Sequence, residues 1–203
     1  VEAPVAEELA ERVAEQAKGI RLGSGLDADT QMGPLISQAH RTRVRGYVDS
    51  AMQDGATVSA GGRDAAVAGL DGGFFFQPTV INGVRNDMKV AQEEIFGPVL
   101  SVIAWKDEDE LRALANGVDY GLAAGIWSAD TSKALRLAEN LEAGTVWINT
   151  YGMFDVAVPF GGRKQSGFGR ELGEEAMEPY LHSKSVWVDL TAAAPSAGQG
   201  ISR

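Results

Sequence analysis

Residues 149–173 read N-T-Y-G-M-F-D-V-A-V-P-F-G-G-R-K-Q-S-G-F-G-R-E-L-G, with six glycines among twenty-five residues and aromatic and charged side chains between them. Glycine at this density removes side chains where a backbone turns tightly or approaches a ligand or another chain, at an entropic cost that calls for a rigid frame on both sides. Within the stretch, Phe154 and Phe160 can be core or the walls of an apolar pocket. Glu171 can cap a following helix through the helix dipole, or shuttle protons. A second stretch, Glu93-Glu94-Ile95-Phe96-Gly97-Pro98, stands just before a strongly apolar run. Its paired carboxylates can be a solvated edge. Phe96, Gly97 and Pro98 restrict the backbone, however, and a carboxylate held at a strand entrance can accept both hydroxyls of a ribose.

Other chemistries are disfavoured by residue type. The glycines Gly167, Gly169 and Gly173 are spaced G-x-G-x-x-x-G, one residue too long for the dinucleotide fingerprint, and no G-x-x-x-x-G-K-[ST] or G-x-S-x-G occurs. His40 and His182 have no metal-ligand spacing, so no metal site is expected. The chain has no cysteine, which removes disulfides, thiolate metal ligands and a thiol nucleophile from these 203 residues. A net charge of −10 disfavours a protein that tracks a phosphate backbone, so no nucleic-acid partner is expected. No apolar run of about 18 residues or signal-peptide layout is present. The expectation is a soluble cytoplasmic protein without a membrane partner.

The elements that must position these residues follow from periodicity. Helices are expected after Pro4 up to Gly19 and from Ser37 to Gln53, the latter with Val44, Tyr47, Val48, Ala51 and Met52 facing inward. Short strands are expected at 56–60 and 78–81 around a glycine-rich loop. From Val99 the pattern becomes strand 99–105, helix 107–116, strand 122–127, helix 130–142 and strand 145–149. That alternation is the signature of a parallel α/β sheet with crossovers, whose ligands sit beyond the carboxyl ends of the strands. The glycine-rich stretch begins at one such end. Residues 171–180 read as helix and 185–190 as a strand whose isolation calls for an edge, such as that of a neighbouring subunit. Residues 191–203 read as a disordered tail.

Several separate motifs, in consistent order, resemble the NAD(P)-dependent aldehyde dehydrogenase superfamily. They are Glu93 to Val99, Ala143-Gly144-Thr145-Val146-Trp147-Ile148-Asn149, and Pro159-Phe160-Gly161-Gly162 with Lys164, Ser166, Gly167, Gly169, Arg170 and Glu171; Gly33-Pro34 and Phe76 to Val80 also match. The similarity covers about residues 1–190. It implies a doubly wound, Rossmann-like catalytic domain over 1–182, an oligomerisation strand at 183–190 and a tail at 191–203.

The chemistry implied by the resemblance is attack of a cysteine thiolate on an aldehyde, hydride transfer to NAD or NADP, and hydrolysis of the resulting thioester. The family places that cysteine, its base and the dinucleotide-binding half ahead of the region resembling Val1. The chain, which starts with valine, is therefore expected to be the carboxyl-terminal part of such an enzyme and inactive alone. The resemblance implies that Glu94 holds the nicotinamide-side ribose, that Phe96 packs beside it, and that His40 and Arg43, where the family often has glutamine and lysine, approach the cofactor. It makes Phe154 and Phe160 aldehyde-pocket walls, puts Gly152 where relatives carry pocket side chains, and gives Glu171 a proton relay. The expected partners are a small aldehyde, the amino-terminal dinucleotide-binding part and further copies in a dimer or tetramer. The alternative is a non-catalytic homologue that keeps the fold for association; the retained Glu94 and Phe96 favour the enzyme.

Overall fold

The protein is described by a computed structural model over residues 1–190. A short 3-10 turn, Ala3–Val5, leads into α1 (Ala6–Lys18); then come α2 (Gln38–Gln53), β1 (Thr57–Ala60), β2 (Thr79–Asn82), the single turn α3 (Lys89–Gln92) and β3 (Val99–Ser101). α4 (Glu108–Asn116), β4 (Tyr120–Gly121), β5 (Ala123–Ile126), α5 (Thr131–Asn140), β6 (Thr145–Ile148) and β7 (Arg163–Lys164) complete the α/β alternation. Three long helices start one residue after a side-chain cap. Ser37 accepts from the His40 amide at 3.1 Å, Asp107 from Glu110 at 2.8 Å and Asp130 from Lys133 at 2.9 Å. Each cap satisfies an amide that has no partner in the first helical turn and is worth about 1 kcal/mol.

The centre of the fold is β2. It pairs antiparallel with β1 and parallel with β3, and successive side chains point to opposite faces. Val80 joins Ala10, Ala14 and Ala17 of α1, with Ala60 and Val102; Ile81 joins Val44, Tyr47, Val48 and Ala51 of α2. Helices thus cover both faces, and the small alanines of α1 let that helix lie close to the sheet. Both Val80 and Ile81 are essentially fully buried, a gain of roughly 1.5–3 kcal/mol each.

The strands beyond β3 form separate ladders. β5 and β6 pair in parallel from Ala123–Thr145 to Ile126–Ile148, while β4 pairs antiparallel with β7. The apolar run expected as one strand, 99–105, changes partner midway. Val102 donates to Ile81 at 2.8 Å on one edge; Trp105 donates to Val1 at 3.0 Å and Ala3 donates to Trp105 at 2.8 Å. Alternate residues of a strand bond on opposite edges, so 1–3 occupies the edge away from β2. A cleft of about 910 Å³ lies beyond it, lined by Val1, Val5, Leu9 and Trp105 on one side and by residues 122–128 on the other.

One expectation near the C-terminus is corrected. Residues 171–180 do not form one helix: only Glu174–Tyr180 is helical, as a 3-10 helix with Pro179 inside it. Leu172 and Gly173 have φ of 61° and 64°, which no right-handed helix accommodates, and Glu171 pairs instead with Phe160. The expected oligomerisation strand, 183–190, makes no ladder, and Val186, Val188, Leu190 and Trp187 (94% exposed) are open to solvent. A strand requires an edge to pair with, and none of the described ladders includes these residues. The tail at 191–203 lies outside the described residues.

Backbone contact at one glycine joins β6 to the glycine-rich loop. A Cβ on Gly144 would overlap the Gly161 carbonyl, and both partners are backbone, so neither can turn aside. Gly144→Ala is therefore expected to cost about 1–3 kcal/mol, a Tm fall of roughly 2–12 °C by thermal denaturation. An unchanged Tm would contradict this contact.

The loop base is also held by Lys164, whose Nζ donates to the Asn116 carbonyl at 2.7 Å and the Val118 carbonyl at 3.1 Å and pairs with Glu142. The hydrogen bond and charge of Lys164 hold the Glu142 carboxyl below its ordinary value of 4.5. A lowered folded value gives stability that is present above the unfolded value and lost as pH falls through the folded one. In urea titrations across the acid range, Lys164→Met should show a smaller loss of stability below about pH 4.5 than the parent chain. Equal acid slopes would refute the linkage.

Candidate functional site

The sequence-predicted residues fall into two groups. The first surrounds Glu94 at the entrance to β3. Glu94 lies just after α3 in irregular backbone, its carboxylate is exposed, and among the described residues it forms no side-chain hydrogen bond or ion pair. Two residues on, Phe96 has φ of 56° and a ring 70% exposed. A phenylalanine held at positive φ with its ring in water has neither local preference nor burial to explain it, and such strain concentrates at functional positions. A free carboxylate two residues before an exposed aromatic ring suits a sugar diol and the apolar edge of its base. Glu94 also lines the cleft between Trp105 and β5.

α2 supports this loop from below. The Arg43 guanidinium donates to the Glu94 carbonyl at 2.9 Å and to the Tyr47 hydroxyl at 3.1 Å, and that hydroxyl donates to a Glu93 carboxylate oxygen at 2.7 Å. Sequence periodicity assigned Tyr47 only to the inward stripe of α2. Its i,i+4 spacing from Arg43 was the signal that the two would meet. His40 lies on the same helix but makes no bond to the Glu94 loop. Both its ring nitrogens are shielded from water without a hydrogen-bond partner.

The second group is aromatic and lies beyond β6. Asn149, at φ of 54°, ends the strand: its amide donates to the Ile126 carbonyl at 2.8 Å, and its side chain exchanges two 2.9 Å hydrogen bonds with Ser128. The ends of β5 and β6 are thereby tied together where the loop departs. Trp147 donates its indole proton to the Met153 carbonyl at 2.9 Å, which folds the loop back over the ring. Phe154 meets Trp147 at 5.7 Å and Phe160 at 5.0 Å, both edge to face, and Tyr151 lies 4.9 Å from Trp147. Such pairs prefer edge-to-face geometry and are worth about 0.5–1.5 kcal/mol each. Phe154 is 59% exposed and Phe160 half-buried, so both rings present apolar surface rather than core. The sequence signal for Trp147 and Tyr151 in this group was only their proximity to Asn149.

Gly152, at φ of 73°, has nothing near the position a Cβ would take, so the space beside it is open. Glu171 is exposed and reciprocally bonded to Phe160 through backbone, N–H to O=C at 2.7 Å in both directions. That bridge closes the loop carrying Arg170, whose guanidinium donates to the carbonyls of Gly162 at 2.9 Å and Gly169 at 2.7 Å. Arg170 is thus a structural brace. No hydrogen bond, ion pair or ring contact links the Glu94 group to the aromatic group among the described residues. Nor do these residues hold any cluster of three or more His, Cys, Asp or Glu fit for a metal ion.

Known proteins resemble this chain over most of its length. Residues 1–186 match the aldehyde dehydrogenase family. A betaine aldehyde dehydrogenase of Mesorhizobium japonicum is 46% identical over 189 residues, 93% of this chain and 39% of that protein. The one from Brucella anthropi is 46% identical over 91% of this chain and 38% of its own length. Among solved structures, a point variant of betaine aldehyde dehydrogenase from Staphylococcus aureus in complex with NAD+ superposes with a TM-score of 0.91 at 42% identity, covering 96% of this chain and 40% of that one. The NAD+ complex of an aldehyde dehydrogenase from Bacillus cereus gives a TM-score of 0.87 at 42% identity, over 94% and 38% of the two chains. The chain spans about two fifths of the length of the curated relatives it matches. With the match running across 186 of its 203 residues and the same α/β fold in the solved relatives, the chain belongs to the aldehyde dehydrogenase family.

Proposed function

We propose that these residues supply the nicotinamide-ribose contact and one wall of the aldehyde pocket in an enzyme that oxidises an aldehyde to a carboxylic acid with NAD or NADP. The observation that carries this reading is that the exposed Glu94, without a side-chain partner among the described residues, stands two residues before the strained, exposed Phe96. An interaction module has no need of a diol acceptor next to an open ring. The cofactor fits these groups: Glu94 has no internal partner to give up, and two carboxylate oxygens match two adjacent hydroxyls. When bound, the nicotinamide accepts the hydride lost by the aldehyde.

In this reading Glu94 accepts hydrogen bonds from both ribose hydroxyls and Phe96 covers the sugar's apolar edge. Phe154 and Phe160 exclude water and hold the aldehyde's substituent, and open Gly152 leaves room beside them. The relatives' betaine aldehyde is a suitable substrate class, since the rings of Trp147, Tyr151, Phe154 and Phe160 would attract a quaternary ammonium group through their π-faces. Glu171, exposed and tied to the Phe160 backbone, moves a proton between the pocket and water. The 203 residues hold no thiol, so the nucleophile belongs to another part of the enzyme. We assign residues 1–182 to the catalytic domain and the apolar 183–190 to pairing with a further copy of the chain. Among the described residues no helix is long and apolar enough to cross a membrane.

Two outcomes test the reading. In the full translated product of the gene, Glu94→Gln should raise the KM for NAD roughly 10- to 100-fold, the weight of a charge-assisted hydrogen bond of about 1.5–3 kcal/mol, with little change in the KM for aldehyde. An unaltered NAD dependence would remove Glu94 from the ribose. The 203-residue chain by itself should form no NADH from betaine aldehyde and NAD above a protein-free control. Formation of NADH would sink the assignment of the nucleophile to another part.

A further inference from the structure

Resting on the reading of Glu94 as the ribose acceptor, we propose that Arg43 and Tyr47 are positioning residues, a clamp on α2 that fixes the Glu94 peptide, and that Arg43 is not itself a cofactor ligand. Three consecutive contacts from one helix face meet one short loop. Arg43 reaches the Glu94 carbonyl, Val44 lies against Gly97, and Tyr47 reaches the Glu93 carboxylate. A Cβ on Gly97 would come within 2.6 Å of Val44, so this glycine, whose φ is not positive, is required by the close approach. The loop therefore rests directly on the helix, with the fully buried Val44 as its floor.

The polar part of the clamp is already committed. One Arg43 nitrogen serves both the Glu94 carbonyl and the Tyr47 hydroxyl, while the guanidinium stacks 5.3 Å above the Tyr47 ring. Tyr47 is buried, and its hydroxyl proton is given to Glu93, whose carboxylate also lies 3.9 Å from Lys89. Lys89 in turn sits 4.9 Å from the Tyr47 ring centre. Arg43 and Lys89 thus face the Tyr47 ring and Glu93 takes its hydroxyl proton, while among the described residues the Glu94 carboxylate has no partner. Adjacent carboxylates take separate roles: Glu93 anchors the loop and Glu94 is presented by it. The planar guanidinium suits this task, since one of its NH2 groups can hold the carbonyl and the hydroxyl while the plane lies over the Tyr47 ring, whereas an ammonium has no flat face to stack. With the Glu94 carbonyl and the Glu93 side chain held, the positive φ of Phe96 is sustained by its surroundings.

The test separates clamp from ligand. In the 203-residue chain, hydrogen exchange of the segment 93–98 should quicken roughly tenfold in Arg43→Gln and in Tyr47→Phe, the factor carried by loss of one such hydrogen bond, while the exchange of β2 and α1 stays unchanged. Arg43→Lys should restore only part of the protection. Unchanged exchange at 93–98 in both variants would overturn the clamp. In the full translated product, Arg43→Gln should raise the KM for NAD without lowering kcat, and should add nothing when Glu94 is already glutamine, because a positioning residue acts only through the group it positions. Additive penalties would make Arg43 a direct ligand and overturn the proposal. If Glu94→Gln leaves the NAD dependence unaltered, the ribose reading fails, and the exchange measurement still decides whether the clamp exists.

Discussion

The contact on which the candidate site depends is the seat of Gly97 on Val44. Val44 is fully buried in the core between α2 and β2, and Gly97 has no side chain to hold the loop away from it. That one close approach fixes the height of the loop above the helix. Arg43 and Tyr47, one residue before Val44 and three after, are then within reach of Glu94 and Glu93. The same packing that builds the core therefore sets the direction of the carboxylate proposed to hold the cofactor. Ile95, buried between Glu94 and Phe96, pins the loop from its middle and leaves its two neighbours facing water.

The aromatic wall is organised by the same device at a different place. Gly144 meets the Gly161 carbonyl, Arg170 braces Gly162 and Gly169, and the Phe160–Glu171 bridge closes the loop at its base. Backbone contacts do most of this work, which frees the rings of Phe154 and Phe160 to present surface. The cost is exposed apolar area: Phe154, Tyr151 and the segment holding Trp187 face solvent among the described residues. Exposed apolar surfaces of this kind mark ligand grooves and subunit contacts.

Much of this was legible in the residues, and the limits have physical causes. The stripe Val44, Tyr47, Val48, Ala51 announced α2, although Met52, expected to face inward with it, is exposed; the alternation from Val99 announced the βα units, because burial imposes a period on each element. The run 99–105 could not reveal that its two halves bond opposite edges, since pairing partners leave no mark on an apolar strand. A helix at 171–180 was a reasonable expectation from composition; positive φ at Leu172, set by the tertiary bridge at Glu171, overrode it. The apolar pattern at 183–190 calls for a strand but cannot supply the edge. At the site, the resemblance of the motif around Glu94 pointed to this carboxylate, while its contact with α2 needed three dimensions, since Arg43 and Glu94 are 51 residues apart. His40 and Arg43 looked equivalent in sequence. In the fold one is shielded without hydrogen bonds at its ring and the other grips the loop.

The central claim is that the loop on α2 presents Glu94 to the cofactor while Arg43 stays behind it. A crystal structure of the full translated product with NAD tests this most directly. The account predicts both Glu94 carboxylate oxygens within about 3.2 Å of the nicotinamide-side ribose hydroxyls, with the Arg43 guanidinium still on the Glu94 carbonyl. Glu94 turned away to solvent, or Arg43 released from that carbonyl to hold the ribose itself, would contradict it.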